Sequence, residues 1–190
     1  MGTVTIRRLG RPGDLGWVVQ AHGETYAAET GWGLPFEALV ARIVADFAAD
    51  DDPRTAAWIA ELDGRRVGCV FCTRADEETA QLRVMLVHPD TRGHGLGTHL
   101  AEECIRFARD SGYRRMRLWT TTRQAAACAI YRAAGFELIE EEPHTGFGET
   151  VTGQTYELDL ARTPGRSGDL MVRMPVAACE AGHRPDDQQA

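Results

Sequence analysis

The stretch "HPDTRGHGLG", residues 88–97, places three glycines, one arginine and two histidines in ten positions. The apolar run "AQLRVMLV" precedes it and reads as a strand; "THLAEECIRFARDSG" follows and reads as a helix. Leu100, Ala101, Cys104, Ile105 and Ala108 share one stripe of that helix, the spacing of an amphipathic segment. A helix leaves its first N–H groups unpaired and turns the positive end of its dipole toward the preceding loop. Gly93, Gly95 and Gly97 put no Cβ atom in front of those groups. The junction therefore predicts an anion site suited to phosphate, with Arg92, His94 and His99 as additional donors. It is not a Walker A loop, because Thr98 follows Gly97 where Lys-Ser or Lys-Thr is required. It is not a dinucleotide fingerprint either: the glycines run G-x-G-x-G, and no carboxylate about twenty residues on suits a ribose.

The remaining pattern sets the order of elements. "TVTIRRL" reads as a first strand. "RPGDLGWVVQAHGETYAAETGW" is helical, with Leu15, Val18, Val19, His22 and Tyr26 near one stripe, although its glycines weaken the pattern. In "LPFEALVARIVADFAAD", Pro35 suits a first turn and Phe36, Leu39, Val40, Ile43, Val44 and Phe47 keep helical spacing. Asp63-Gly64 joins two strands in "AAWIAELDGRRVGCVFCTR" as a type I′ hairpin. After the glycine loop and its helix, closed by Gly112, comes the alternating strand "YRRMRLWTT", with Met116 and Leu118 on one face and Arg117 and Trp119 on the other. The short alanine-rich helix "RQAAACAIYRAAG" follows, then the strands "FELIEEE" and "GQTYELDL" around a loop "PHTGFGETVT". The order β-αα-βββ-α-β-α-ββ gives a single α/β (α+β) domain over residues 1–160, with a mixed sheet. Residues 161–190 are rich in Pro, Gly and charge without periodicity and are expected to form a disordered tail.

Composition narrows the function. A net charge of −7 argues against general nucleic-acid affinity. No apolar run is long enough to span a bilayer and the N-terminus has no apolar h-region, so a cytoplasmic protein without a membrane partner is expected. Ile6 stands where a myristoylation signal needs Ser or Thr. Five cysteines in no paired spacing give no disulfide framework. Cys69 and Cys72 have C-x-x-C spacing within a strand, so their side chains point to opposite faces. They read as two half-buried thiols with no bound metal.

Two segments carry a resemblance. "VHPDTRGHGLGTHL" and "AIYRAAGFELIEEE" are similar to the R/Q-x-x-G-x-G/A loop and the "LYxxxGF" helix-to-strand junction of the GNAT superfamily of acetyl-CoA-dependent N-acetyltransferases. The similarity covers roughly Thr5 to Leu160. In detail it resembles the acetyltransferase half of proteins in which a MarR-type DNA-binding domain comes first. The strand Thr3–Leu9 begins at once, and no DNA-binding role is expected.

The resemblance implies a mostly antiparallel sheet of six to seven strands, with helices on both faces and strands parted around the pantetheine arm. It implies that Arg92, Gly93, His94, Gly95, Leu96, Gly97 and Thr98 hold the pyrophosphate of acetyl-CoA, the co-substrate. The backbone of Leu86 and Val87 would pair with the arm, and Gln124 would stand where relatives often carry Asn. The Val87 amide would stabilise the oxyanion, and Tyr131 would protonate the leaving thiolate. By residue pattern alone, Tyr131 is an amphipathic core residue beside Gly135-Phe136. No carboxylate on the strand Gln81–Met85 faces the cleft as a base. Glu24, His22 and His144 are candidates elsewhere, and a water chain with no dedicated base is as good a reading. The acceptor amine should lie among Trp17–Leu34 and Pro143–Gln154, where Tyr26, Trp32, His144, Phe147 and Gln154 fall. A noncatalytic acyl-CoA-binding or protein-interaction module is the alternative, and a homodimer stays open.

Overall fold

The computed structural model describes residues 2–147 and 150–162. Its backbone begins with β1 (Val4–Arg8), α1 (Asp14–Thr30) and α2 (Leu34–Ala48). The meander β2 (Ala56–Leu62), β3 (Arg65–Arg74) and β4 (Thr79–Val87) follows, then a single 3-10 turn at Pro89–Thr91 and α3 (Leu96–Asp110). The chain continues through β5 (Arg115–Thr121), α4 (Ala125–Ala133), β6 (Glu137–Thr145) and β7 (Thr150–Asp159). This is the element order read from the sequence. The β2–β3 turn is built as its residues demand, with φ positive at both Asp63 and Gly64.

Seven strands form one sheet in the order β1-β2-β3-β4-β5-β7-β6. β4 and β5 are its one parallel pair, and their pairing runs only from Thr79 to Leu82 opposite Arg115 to Leu118. Beyond Leu82 the two strands part. Alternation along the strands feeds two cores. On one face Val70, Cys72, Leu82, Met116 and Leu118 pack under α3 and α4. On the other Ile59, Cys69, Phe71 and Leu86 pack under α1 and α2. Helices thus cover both faces of the sheet.

A bulge in β4 sets where the strands part. Cys69 pairs with Leu86 but Phe71 pairs with Arg83, so Val84 and Met85 together face Val70. Val84 takes φ 51, a left-handed conformation that a β-branched residue adopts only under strain of about 1–3 kcal/mol. The extra residue reverses the alternation. Leu82 lies in the α3–α4 core, whereas Leu86, an even number of residues on, lies in the α1–α2 core.

An ionic cluster pins the start of α1. Arg7 grips buried Asp14 with both terminal nitrogens, at 2.7 and 2.9 Å, and its Nε donates to Glu61 at 2.8 Å. The Asp14 carboxylate also accepts the Gly10 and Arg11 amides. The Arg7 guanidinium holds its carboxyl well below the usual carboxylate range.

Three local expectations are corrected. Cys69 and Cys72 do point to opposite faces, but both are completely buried rather than half-buried. His144 belongs to β6, which runs on to Thr145, rather than to a loop. The glycine-loop helix begins at Leu96, two residues before the expected Thr98. The tail expected to be disordered lies, from residue 163 on, outside the described residues.

Candidate active site

The opening between β4 and β5 leads into two cavities that meet. The first, of about 640 Å³, runs along the end of β4, the glycine loop and α4. Its walls include Met85, Leu86, Val87, Arg92, Gly93, Gly95, Leu96, Gly97 and Thr98, with Gln124, Ala125 to Ala127, Ala129 and Ile130 opposite. Gly95 caps α3 with φ 75, a left-handed conformation for which glycine is the default residue. Gly97 serves closeness: a Cβ there would come within 2.7 Å of the Ile130 side chain. The loop thus turns into a helix N-terminus while α3 and α4 approach closely. Unpaired amides and the positive dipole end at the wall of an elongated cleft fit a phosphate-bearing cofactor. Arg92 and Glu29 of α1 line the same cleft and form an ion pair at 2.7 Å. His94 and His99, expected as donors, are exposed and do not line the cleft.

The second cavity, of about 410 Å³, lies on the α1–α2 side of the parted strands. Six aromatic rings line it: Tyr26, Trp32, Phe36, Trp119, Tyr131 and Phe147. Tyr26 stacks parallel to Trp32 at 5.5 Å, and Trp32 meets Phe147 at 4.6 Å. Tyr26, Met85 and Gln124 line both cavities, so the two are continuous at the bulge.

Tyr131 reaches the second cavity from the last turn of α4, and no described residue hydrogen-bonds its hydroxyl. Its ring packs against Phe136 and Tyr156, so it is also the core residue that its pattern alone suggested. Burial raises its pKa far above the ordinary phenol value, which keeps the proton on the oxygen at neutral pH. Gln124 accepts a hydrogen bond from the Thr120 hydroxyl at 2.7 Å, which fixes its side chain where the cavities join.

The base candidates separate in space. Glu24 is exposed, accepts from Gln20 at 2.9 Å and lines a different depression with Trp17, Arg66 and His88. The structure does not bring it to the cleft. His144 stands behind the second cavity, its ring 4.9 Å from Trp119 and 5.1 Å from Phe147. His22 lines the cavity itself. Its Nδ1–H donates to the Val18 carbonyl at 2.8 Å, so Nε2 carries the free lone pair, buried and without a partner. Burial lowers its pKa to about 4, so the ring is neutral at neutral pH.

Gln154, expected at the acceptor pocket, is instead buried in a network with Glu141, Cys128 and Tyr156. The sequence reading missed Trp119, the α2 residues Phe36, Leu39, Val40 and Ile43, and Arg83 as cavity walls. For Arg83 a signal existed: Gln81 and Arg83 are two polar residues on one face of a strand whose other residues after Thr79 are apolar.

Residues 21–136 match the model of the acetyltransferase (GNAT) family. This chain is a GNAT protein. The match takes in the glycine loop, α4 up to the Gly135-Phe136 junction and every lining residue of the aromatic cavity except Phe147. Among curated relatives of this GNAT chain, an uncharacterized N-acetyltransferase of Methanocaldococcus jannaschii is 33% identical over 86 residues, 42% of this chain and 38% of that protein. N-acetylaspartate synthetase of Danio rerio is 37% identical over 95 residues, 49% of this chain and 34% of that protein. The aligned region is thus little more than a third of either relative's length. Among solved structures, yncA of Salmonella typhimurium, determined with its cofactor acetyl-CoA, superposes with a TM-score of 0.66 at 21% identity, covering 88% of this chain and 98% of that one. Ribosomal-protein-alanine N-acetyltransferase of Brucella melitensis gives 0.66 at 21% identity, over 82% and 99%. These two carry the GNAT fold alone. No described helix of the chain is long and apolar enough to cross a membrane.

Proposed function

We propose that this chain is an N-acetyltransferase that moves the acetyl group of acetyl-CoA to a primary amine by direct attack on the thioester. The observation that carries the reading is the junction of two cavities at the β4 bulge. One is walled by main chain and small residues, the other by aromatic side chains, among them Tyr131, whose hydroxyl no described residue hydrogen-bonds. Bound acetyl-CoA supplies an acyl group activated as a thioester.

The chain's own groups take the remaining roles. The loop Arg92–Thr98 binds pyrophosphate through amides and the helix dipole. The edge of β4 near Leu86 and Val87, left without a strand partner on the β5 side, offers amides and carbonyls to the pantetheine arm. Gln124 contacts that arm at the junction. The Val87 amide meets the negative charge that develops on the attacked carbonyl oxygen. Tyr131 donates its proton to the departing thiolate. Neutral His22, which lines the amine's cavity, is the better-placed proton acceptor than Glu24 or His144; water serves where the ring is too weak a base.

The acceptor is an amine of a small molecule or of a protein, and the reading includes no nucleic acid and no membrane as partner. Within the family, the loop sequence supports the finer likeness to the acetyltransferase half of MarR fusions. The domain is assigned to residues 1–160 and the chain to the cytoplasm. One observation favours a noncatalytic acyl-CoA-binding module as the second reading: no carboxylate lines the aromatic cavity. Coenzyme A release measured over a panel of amines decides between them. Release that depends on an amine is expected. Tight acetyl-CoA binding with no release to any amine would favour the binding module.

A further inference from the structure

We propose that Arg83 makes the aromatic cavity a site for an amine that also carries a carboxylate: an amino acid or similar small amino carboxylate with an apolar body. This rests on the transferase reading and adds the acceptor's class to it.

Arg83 is the one charged residue among the described residues that line the cavity. Around it stand the rings of Tyr26, Trp32, Phe36, Trp119 and Phe147, the aliphatic chains of Leu39, Val40 and Ile43, and neutral Gln81 and Thr120. The residue is half-buried, and no described carboxylate forms an ion pair or hydrogen bond with its guanidinium. Asp46 on α2, itself exposed, touches it only through its field, while loss of water lowers the guanidinium's pKa. An unpaired cation in an apolar recess is unfavourable for folding. Other half-buried arginines are paired, Arg7 with Asp14 and Glu61 and Arg54 with Asp52 and Glu77; Arg109, whose buried Nε has no partner, lies away from the cavity.

The chemistry of the vacant partner follows. A guanidinium offers parallel N–H donors that match a carboxylate in two-point geometry. A wall of rings fits an apolar body, and about 410 Å³ holds one of amino-acid size. The overall charge of −7 does not draw anions to the surface, so selection acts at the pocket. A neutral His22 adds no second cation. A polyamine or a lysine side chain would bring positive charge to an arginine that no described carboxylate pairs, which the cavity disfavours.

Binding tests this without turnover. The probe 3-phenylpropionate has a ring and a carboxylate but no amine, and 3-phenylpropionamide is its neutral match. Calorimetric titration of the wild type, with coenzyme A present, should show the carboxylate bound about 10- to 100-fold more tightly than the amide. Arg83→Gln should abolish that preference, Arg83→Lys should restore part of it, and coenzyme A affinity should be the same in all three. In turnover, L-phenylalanine should exceed L-phenylalaninamide in kcat/KM by a similar factor, and Arg83→Gln should level the two. Equal binding of the two probes to wild type overturns the proposal, as does a carboxylate preference that survives in folded Arg83→Gln. Acetylation of neutral amines or polyamines in preference to amino carboxylates overturns it too, while leaving the transferase reading intact. Failure to bind coenzyme A falls on the transferase reading alone.

Discussion

The cleft beside the glycine loop and the aromatic cavity share Tyr26, Met85 and Gln124, yet they are made of different material. The cleft presents glycines, the small face of α4 and the free edge of β4, so main chain does most of the contacting. The cavity presents six rings, one guanidinium and one imidazole. Main-chain recognition suits a ligand of fixed amide-and-phosphate chemistry, because one substitution rarely removes it. Side-chain recognition can be retuned one residue at a time, because the rings are spread over α1, α2, β5, α4 and two connecting segments and none of them shapes the loop. One side is built to hold a constant partner and the other to choose a variable one.

The comparison breaks most sharply at Tyr131. Tyr131→Phe keeps the ring packed on Phe136 and removes the hydroxyl. With a working acceptor, kcat should fall by about 10²–10⁴-fold while coenzyme A affinity stays the same. Full turnover would return Tyr131 to a purely structural role. The cavity side should also announce itself in acid. His22 has a folded pKa of about 4 against an ordinary 6.5. Between those values the unfolded chain binds more protons, so stability falls as the pH drops through that window, by roughly 3 kcal/mol at its end. Thermal melts of His22→Leu should decline less than wild type from about pH 7 to about pH 4.5. Parallel curves would place the acid sensitivity elsewhere. Asp14 does not confound this, since its lowered carboxyl loses its ion pair only below the ordinary carboxylate range.

The cleft side should respond more gently. Gly95→Ala places a side chain in a left-handed conformation, at about 1–2 kcal/mol, with only an ordinary contact to the His99 ring at 3.9 Å. A comparable loss of coenzyme A affinity is expected, with the aromatic probe bound as before. Weakened binding of both ligands would mean that the two cavities are not independent. Glu24→Gln should leave kcat within about twofold, as for a surface change of roughly 0.5 kcal/mol. A large loss of kcat would draw the depression beside Trp17 into the reaction.

The elements were legible in the sequence because each strand and helix shows its own period. The glycine loop was legible because few arrangements need three Cβ-free positions before a helix. The aromatic cavity was not, and the reason is physical. Phe36, Leu39, Val40 and Ile43 have the spacing of any buried helix face, and periodicity cannot tell a wall of a cavity from a wall of a core. The bulge at Val84 was hidden for a related reason. Val, Met and Leu in succession look like a fully buried strand, whichever residue carries the positive φ. Tyr131 is the intermediate case: its position was readable, but the pattern alone favoured packing, and the structure places it in both core and cavity.

The brevity of the β4–β5 contact has a thermodynamic consequence. Four residue pairs form the seam between one half of the sheet, β1 to β4, and the other, β5 to β7. A pantetheine-like arm lying in the gap would lengthen that seam with the ligand's own amides, so its binding would also be a folding term. At a hundredfold excess over Kd such linkage adds about 2.7 kcal/mol to stability. The melting temperature would then gauge cofactor supply. Amide exchange along Arg83–Val87 and Trp119–Thr121 would slow as the ligand zips the halves together, and a starved chain would open first along that line.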